Sequence, residues 1–226
     1  MTQAFRPVAL VPAYNAVGSI GAVVRGLRRF VPRVLVVDDG STDGTGRAAA
    51  AAGAEVLALP ENGGKGAAVR AGLGRILGSD ATHVAFVDGD GQHDPEDLPS
   101  LLDAARRGES FVIGSRMADP DATPAYRFRT NEIGSKILSR MTGLPIEDGQ
   151  SGYRVLSADL LKKLDLNARG YIIETEILLK AARHVSHVRH VPVRVIYGGP
   201  SHYKPFRDTW VISWGAVYYK VFETDI

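Results

Sequence analysis

At 226 residues the chain has room for one α/β domain with a sizeable core and is short for two. Hydrophobic residues make up 45% and charged residues 23%; a net charge of +2 argues against a nucleic-acid binder, and the lack of cysteine excludes a disulfide framework and thiolate metal sites. The start, MTQAFRPVALVPAYN, carries no signal-peptide pattern, and no run of about 18 apolar residues occurs, so the expectation is a soluble, cytoplasmic, single-domain protein.

Pro7–Tyr14 and Arg33–Ser41 are continuous apolar runs ending in turn-forming or polar residues, the pattern of strands buried on both faces of a parallel sheet. Between them Ile20, Val23, Val24, Leu27 and Phe30 recur at helical spacing, with Ser19 placed as an N-cap. The alternation then repeats. Helix is expected over Thr45–Ala52, strand over Glu55–Leu59, helix over Lys65–Leu77 and strand over His83–Val87. Helix follows over Pro95–Arg107, with Pro95 in its first turn, and strand over Ser110–Ile113. Such alternation predicts an α/β fold, Rossmann-like with a mostly parallel sheet flanked by helices, and ligands at the carboxyl ends of the strands.

The second half is less regular. Asn131–Met141 reads as helix, EDGQSGYRVLS as a turn leading into a strand, Thr175–His184 as helix and Val188–Val195 as a strand interrupted by Pro192. FRDTWVISWGAVYYKVFE reads as a final helix carrying Trp210, Trp214 and Tyr218. The expected organisation is one domain, divided into a first half over 1–115, a second half over 116–207 and an aromatic helix over 208–226.

Three polar motifs follow three of the predicted strands: PAYN (Pro12–Asn15), DDGSTDGT (Asp38–Thr45) and DGDGQ (Asp88–Gln92). At one end of a parallel sheet they would line a single pocket. The segment FVDGDGQHDPED holds five acids in twelve residues, a crowding that costs free energy unless a cation lies among them. Asp88 and Asp90, with Gln92, offer hard oxygen ligands suited to Mg²⁺ or Mn²⁺; Asp94, Glu96 and Asp97 fit the start of a helix, where its dipole favours them. No P-loop or G-x-G-x-x-G occurs, and His93 breaks an EF-hand pattern. A zinc site from His184, His187 and His190 is disfavoured, since the three straddle a helix-to-strand change. From Ile177 to Arg207 there is no acid, while Lys180, Arg183, Arg189, Arg194, Lys204 and Arg207 fall inside, which suits a phosphate group or an anionic surface.

Taken in order, VPAYN, VVDDGSTDGT, ENGGKGAAVRAG, DGDGQHDPED, GSR, DGQSGYR and SHYKPFRD resemble the family 2 glycosyltransferases of the GT-A fold, in the branch of the dolichyl- and polyprenyl-phosphate sugar synthases. The resemblance implies a nucleotide diphosphate sugar donor (GDP- or UDP-sugar), a divalent metal and inversion at the anomeric carbon, with residues 1–115 as the donor and metal half and 116–207 as the acceptor half. It would place Pro12, Tyr14, Asn15, Asp39, Lys65 and Asp88 at the donor, Asp88, Asp90 and Gln92 at the metal, and Arg116 and Arg127 at phosphates, with Arg129 competing with Arg127 for that match. Ala16 stands where many relatives carry Glu.

Two acceptors remain open. A sugar hydroxyl needs a general base, for which Asp148, Glu174 and Glu176 are candidates; Asp148 could equally be a turn carboxylate orienting Arg154. A lipid phosphate is already ionised and needs cations instead, for which Arg154, Arg194, Ser201 and Lys204 are the candidates. The cations tip the expectation to the lipid phosphate, and a non-catalytic nucleotide-sugar binder is the remaining alternative. Trp214 and its neighbours would either touch the inner face of a membrane or pack on protein.

Overall fold

The computed structural model describes residues 4–117, 125–168, 170–194 and 196. In chain order it runs β1 (Pro7–Ala13), α1 (Ile20–Leu27), β2 (Arg33–Asp38), α2 (Thr45–Ala51), β3 (Glu55–Ala58), α3 (Lys65–Leu77) and β4 (His83–Phe86). A 3₁₀ turn (Pro95–Asp97) then leads into α4 (Leu98–Arg106), β5 (Phe111–Ser115), α5 (Ala125–Thr142), β6 (Arg154–Ser157) and α6 (Ala158–Leu161). A second 3₁₀ turn (Gly170–Ile172), α7 (Ile173–Ala181) and β7 (Arg189–Pro192) complete the described chain. The expected final helix lies outside the described residues.

The sheet has the order β3-β2-β1-β4-β6-β5-β7. β1 pairs in parallel with β2 and β4, β2 with β3, and β5 with β7. β6 alone runs antiparallel, wedged between β4 and β5. The strand that opens the second half is thus built into the middle of the sheet.

Successive residues of β1 point to opposite faces, and both faces are covered. Val8 and Leu10 pack with Val69, Leu73 and Ile76 of α3 and Ile173 and Ile177 of α7. Ala9 and Val11 pack with Val23, Val24 and Leu27 of α1 and Leu98 and Leu101 of α4. Burial on two sides is why the strands read as unbroken apolar runs. Among the described residues no helix is long and apolar enough to cross a membrane.

Two expectations at helix starts are corrected. Ser19 occupies the N-cap position of α1 but caps no amide; its hydroxyl donates to the carbonyls of Ala16 and of Gly89, 2.6 Å away. The helix is held by its buried Ile20, Val23, Val24 and Leu27 instead. Burial of such a side chain stabilises by about 1.5–3 kcal/mol, so the loss of a cap bond of about 1 kcal/mol is outweighed. The helix expected over Pro95–Arg107 is split: Asp94 Oδ1 accepts the Glu96 amide over a 3₁₀ turn, and the α-helix begins at Leu98.

Candidate active site

The polar motifs meet at the carboxyl ends of β1, β2 and β4. Asn15, with φ of 47°, ties the first loop to the second: its amide donates to Ser41 Oγ at 2.9 Å and its Oδ1 accepts from Thr42 N at 3.0 Å. Tyr14 beside it is 39% exposed. Pro12 is in β1, its carbonyl facing Gly89 of the third motif. Asp39 is buried, and its two oxygens accept the amides of Gly63 and Gly64 at 2.9 and 2.8 Å. The carboxylate expected at the donor therefore also fastens the loop that delivers Lys65.

Asp88 follows β4 and sits in a nest of its own. Lys65 Nζ lies 2.5 Å from its Oδ1 and also contacts Glu174 Oε1 on α7. His93 Nε2 stands 3.5 Å from Asp88 Oδ2. Gly152 supplies the remaining wall, since a Cβ there would fall 2.6 Å from Asp88 Oδ2. The Lys65 ammonium also faces the ring of Tyr171, 5.8 Å from its centroid. Burial opposes ionisation of both partners, but Asp88 and Glu174 outweigh it and raise Lys65, while Lys65 and His93 hold the Asp88 carboxyl well below the usual range. Asp90 is pushed the other way: burial and the Asp88 charge raise it, while its Oδ1 accepts the Gln92 amide at 3.0 Å. The Gln92 carbonyl accepts from the Ile196 amide.

These observations test the fit of a divalent cation. A carboxyl held up by burial and by its neighbour's negative charge is the electrostatic condition that a cation would relieve. Among the described residues no three His, Cys, Asp or Glu side chains converge on one point. Two carboxylates are nevertheless the protein share usual for Mg²⁺, with substrate phosphates and water supplying the rest, so the donor set fits. Three buried polar atoms at or beside this region have no partner among the described residues: His93 Nδ1, Gln150 Nε2 and Glu174 Oε2.

The acceptor-side expectations need more correction. Asp148 is fully buried and does not orient Arg154; it accepts from Arg116 Nε and Nη2, both at 2.7 Å, and from the Arg116 amide at 3.0 Å. Burial would raise its carboxyl, but the Arg116 guanidinium holds it low, so it does not suit the work of a base. Arg154 is itself 1% exposed and unavailable to a phosphate. Its guanidinium donates to the carbonyls of Ser151, Glu174 and Gly149, each at 2.7 Å, tying the Asp148 loop to α7. Burial lowers it to about 10 despite the Glu174 and Asp148 charges.

Glu176 is also fully buried; it accepts the amides of Asn167 and Ala168 and pairs with Lys180 at 2.9 Å. Arg194 is paired with Asp97 at 2.8 Å and Asp94 at 3.1 Å, so these acids are met by an arginine and not by a helix dipole alone. Glu96 contacts Arg29. His187 turns to Glu109 at 2.5 Å, and His190 Nε2 accepts the Glu147 amide at 3.2 Å. Ser201, Lys204, Trp210 and Trp214 lie outside the described residues, as does the side chain of Arg127. Sequence reasoning missed the approach of His93 and Gly152 to Asp88. A glycine filling no turn, in the SGYR motif, was the available signal for the second.

A mostly parallel sheet covered on both faces, with an acidic cluster beyond β4, places the chain in the α/β class with its site at the carboxyl ends of the strands. Residues 8–165 match the family described as glycosyl transferase family 2, and the chain belongs to it. It is 35% identical to the undecaprenyl-phosphate mannosyltransferase of Micrococcus luteus, over 84% of this chain and 84% of that one. It is 32% identical to the polyprenol monophosphomannose synthase of Mycolicibacterium smegmatis, over 83% of this chain and 76% of that one. In fold it is similar to glucosyl-3-phosphoglycerate synthase from Mycobacterium tuberculosis, solved in complex with Mn²⁺, uridine diphosphate and glucosyl-3-phosphoglycerate. That match has a TM-score of 0.72 at 22% identity, covering 94% of this chain and 77% of that one.

Proposed function

We propose that this glycosyltransferase moves one hexose, with inversion, from a GDP- or UDP-sugar to a polyprenyl or dolichyl phosphate, using Mg²⁺ or Mn²⁺. The observation that carries the donor half is the placement of Asp88 and Asp90 past β4, with the Asp90 carboxyl raised by burial and its neighbour's charge. Asp88 and Asp90, helped by Gln92, would hold the cation, which when bound supplies positive charge to the departing diphosphate. Tyr14, Asn15, Pro12 and Asp39 would line the nucleotide, and Lys65 and Arg116 would face the diphosphate. Arg127 remains a proposed phosphate contact.

For the acceptor, two of the three candidate bases, Asp148 and Glu176, are buried and bonded. A phosphate monoester needs no base, because its oxygen is already anionic. It attacks the anomeric carbon from the face opposite the leaving group, the carbon–oxygen bond to the diphosphate breaks, and no proton moves. The lipid phosphates named for the two relatives support this choice. A membrane-held acceptor would bring the protein to the membrane surface, at the inner face if it is cytoplasmic. A hydroxyl acceptor is the second reading, favoured by Glu174, whose Oε2 has no partner among the described residues, as its base.

The test is calorimetric titration with UDP and with GDP, each with Mn²⁺ and again with EDTA. Metal-dependent binding of one nucleotide is expected, lost in Asp90→Ala. Equal affinity in EDTA would refute the metal assignment.

A further inference from the structure

We propose that Asp148 is a positioning residue that holds the Arg116 guanidinium in one orientation for the donor diphosphate; this rests on the reading of Arg116 given above. The carboxylate is fully buried, and among the described residues everything it accepts comes from one residue 32 positions earlier: Nε, Nη2 and the main-chain amide of Arg116. Two parallel bonds fix the plane of the guanidinium, and the amide bond fixes its root, so little freedom remains to be lost when an anion arrives. Asp148 takes the side-on edge of the fork, formed by Nε and Nη2. The side chain is 22% exposed just past the carboxyl end of β5, where a phosphate would meet it.

The main chain around Asp148 is also held by bonds that do not involve its carboxylate. The Ile146 amide donates to Ser139 Oγ at 2.9 Å and the Gly149 amide to Ser135 Oγ at 3.0 Å, both from α5. The Glu147 amide donates to His190 Nε2 at 3.2 Å, from β7, and the Gly149 carbonyl accepts from Arg154 at 2.7 Å. Four anchors from three elements hold the main chain around Asp148, leaving its side chain for Arg116. A turn carboxylate serving only its own loop would bond to neighbouring amides, as Asp38 does with Ser41 N at 3.0 Å.

The experiment is a double-mutant cycle on Mn²⁺-dependent binding of UDP and GDP, using Asp148→Asn, Arg116→Lys and the pair, with circular dichroism confirming that each folds. Each single variant is expected to weaken binding by roughly 10- to 100-fold, the range for a charge-assisted hydrogen bond, and the pair to be no weaker than Arg116→Lys alone. If Arg116→Lys weakens binding and Asp148→Asn does not, or if the two losses multiply, the positioning role is wrong while the reading of Arg116 survives. If Arg116→Lys binds like the wild type, both fall. Should Asp148→Asn fail to fold, the wild type still decides. The Arg116 Nε–H NMR signal is expected to persist at neutral pH with slow solvent exchange, and rapid exchange would overturn the proposal.

Discussion

Asp90 and Asp88 are two residues apart and titrate in opposite directions, and that difference has a measurable consequence. Burial and the Asp88 charge raise the Asp90 carboxyl in the folded chain, so its contribution to stability is full below the ordinary carboxylate range near pH 4 and is lost as pH rises through the raised value. Asp90→Asn removes that loss. In EDTA at neutral pH the variant should melt a few degrees above the wild type, with the gap closing toward pH 3, and it should fail to bind nucleotide in a Mn²⁺-dependent way. A variant that melts lower than the wild type in EDTA would show that Asp90 is not under repulsion. Gly152 tests the neighbouring carboxylate by shape: a methyl group 2.6 Å from Asp88 Oδ2 must displace it. Gly152→Ala should weaken Mn²⁺-dependent nucleotide binding by roughly 10- to 100-fold, as changes beside a ligand usually do, with the fold retained. Unchanged affinity would place the cation elsewhere.

The loops after β1, β2 and β3 behave as one element because their polar groups are shared. Asn15 bridges the first to the second, Asp39 bridges the second to the third, and Gly40 lets the second and third approach. Gly40 has φ of 71°, and a Cβ there would stand 2.6 Å from the Glu61 carbonyl carbon, a main-chain atom that cannot step aside. Gly40→Ala should cost about 1–3 kcal/mol, read as a lower melting temperature together with weaker nucleotide binding; an unchanged melt would mean that the loops move independently. The elements of the donor half were legible in the sequence because a two-sided sheet writes itself as unbroken apolar runs, and α3 starts and stops where its pattern does. What was not legible depends on pairing across distance. Hydropathy does not encode direction, so Arg154–Ser157 reads as a strand without revealing that it runs antiparallel between β4 and β5. Arg154 itself reads as a cation for the acceptor phosphate, since nothing local announces three carbonyls waiting for it. Asp148 was found as a residue but not as a role, because its partner is 32 positions away and the turn around it suggested Arg154.

At the scale of the molecule, β6 decides whether the donor half is a unit in its own right. The division into 1–115 and 116–207 follows the chemistry, but the sheet does not respect it. β4 has β1 on one side and β6 on the other, and β5 has β6 and β7. A fragment ending at residue 115 would leave one edge of β4 bare and β5 with no strand partner. It would also strip Leu138, Leu156, Ile173, Ile177 and Leu178 from the cluster that covers Leu10, Val84 and Phe86. Five such side chains, each worth about 1.5–3 kcal/mol on burial, are together comparable to the net stability of about 5–15 kcal/mol typical of a whole domain. The fragment 1–115 should therefore show no cooperative thermal transition and no Mn²⁺-dependent nucleotide binding, whereas the full chain should melt in one step with near- and far-ultraviolet dichroism coincident. A fragment that melts cooperatively and binds nucleotide would reverse the argument, making the donor half autonomous and β6 an addition to a finished sheet.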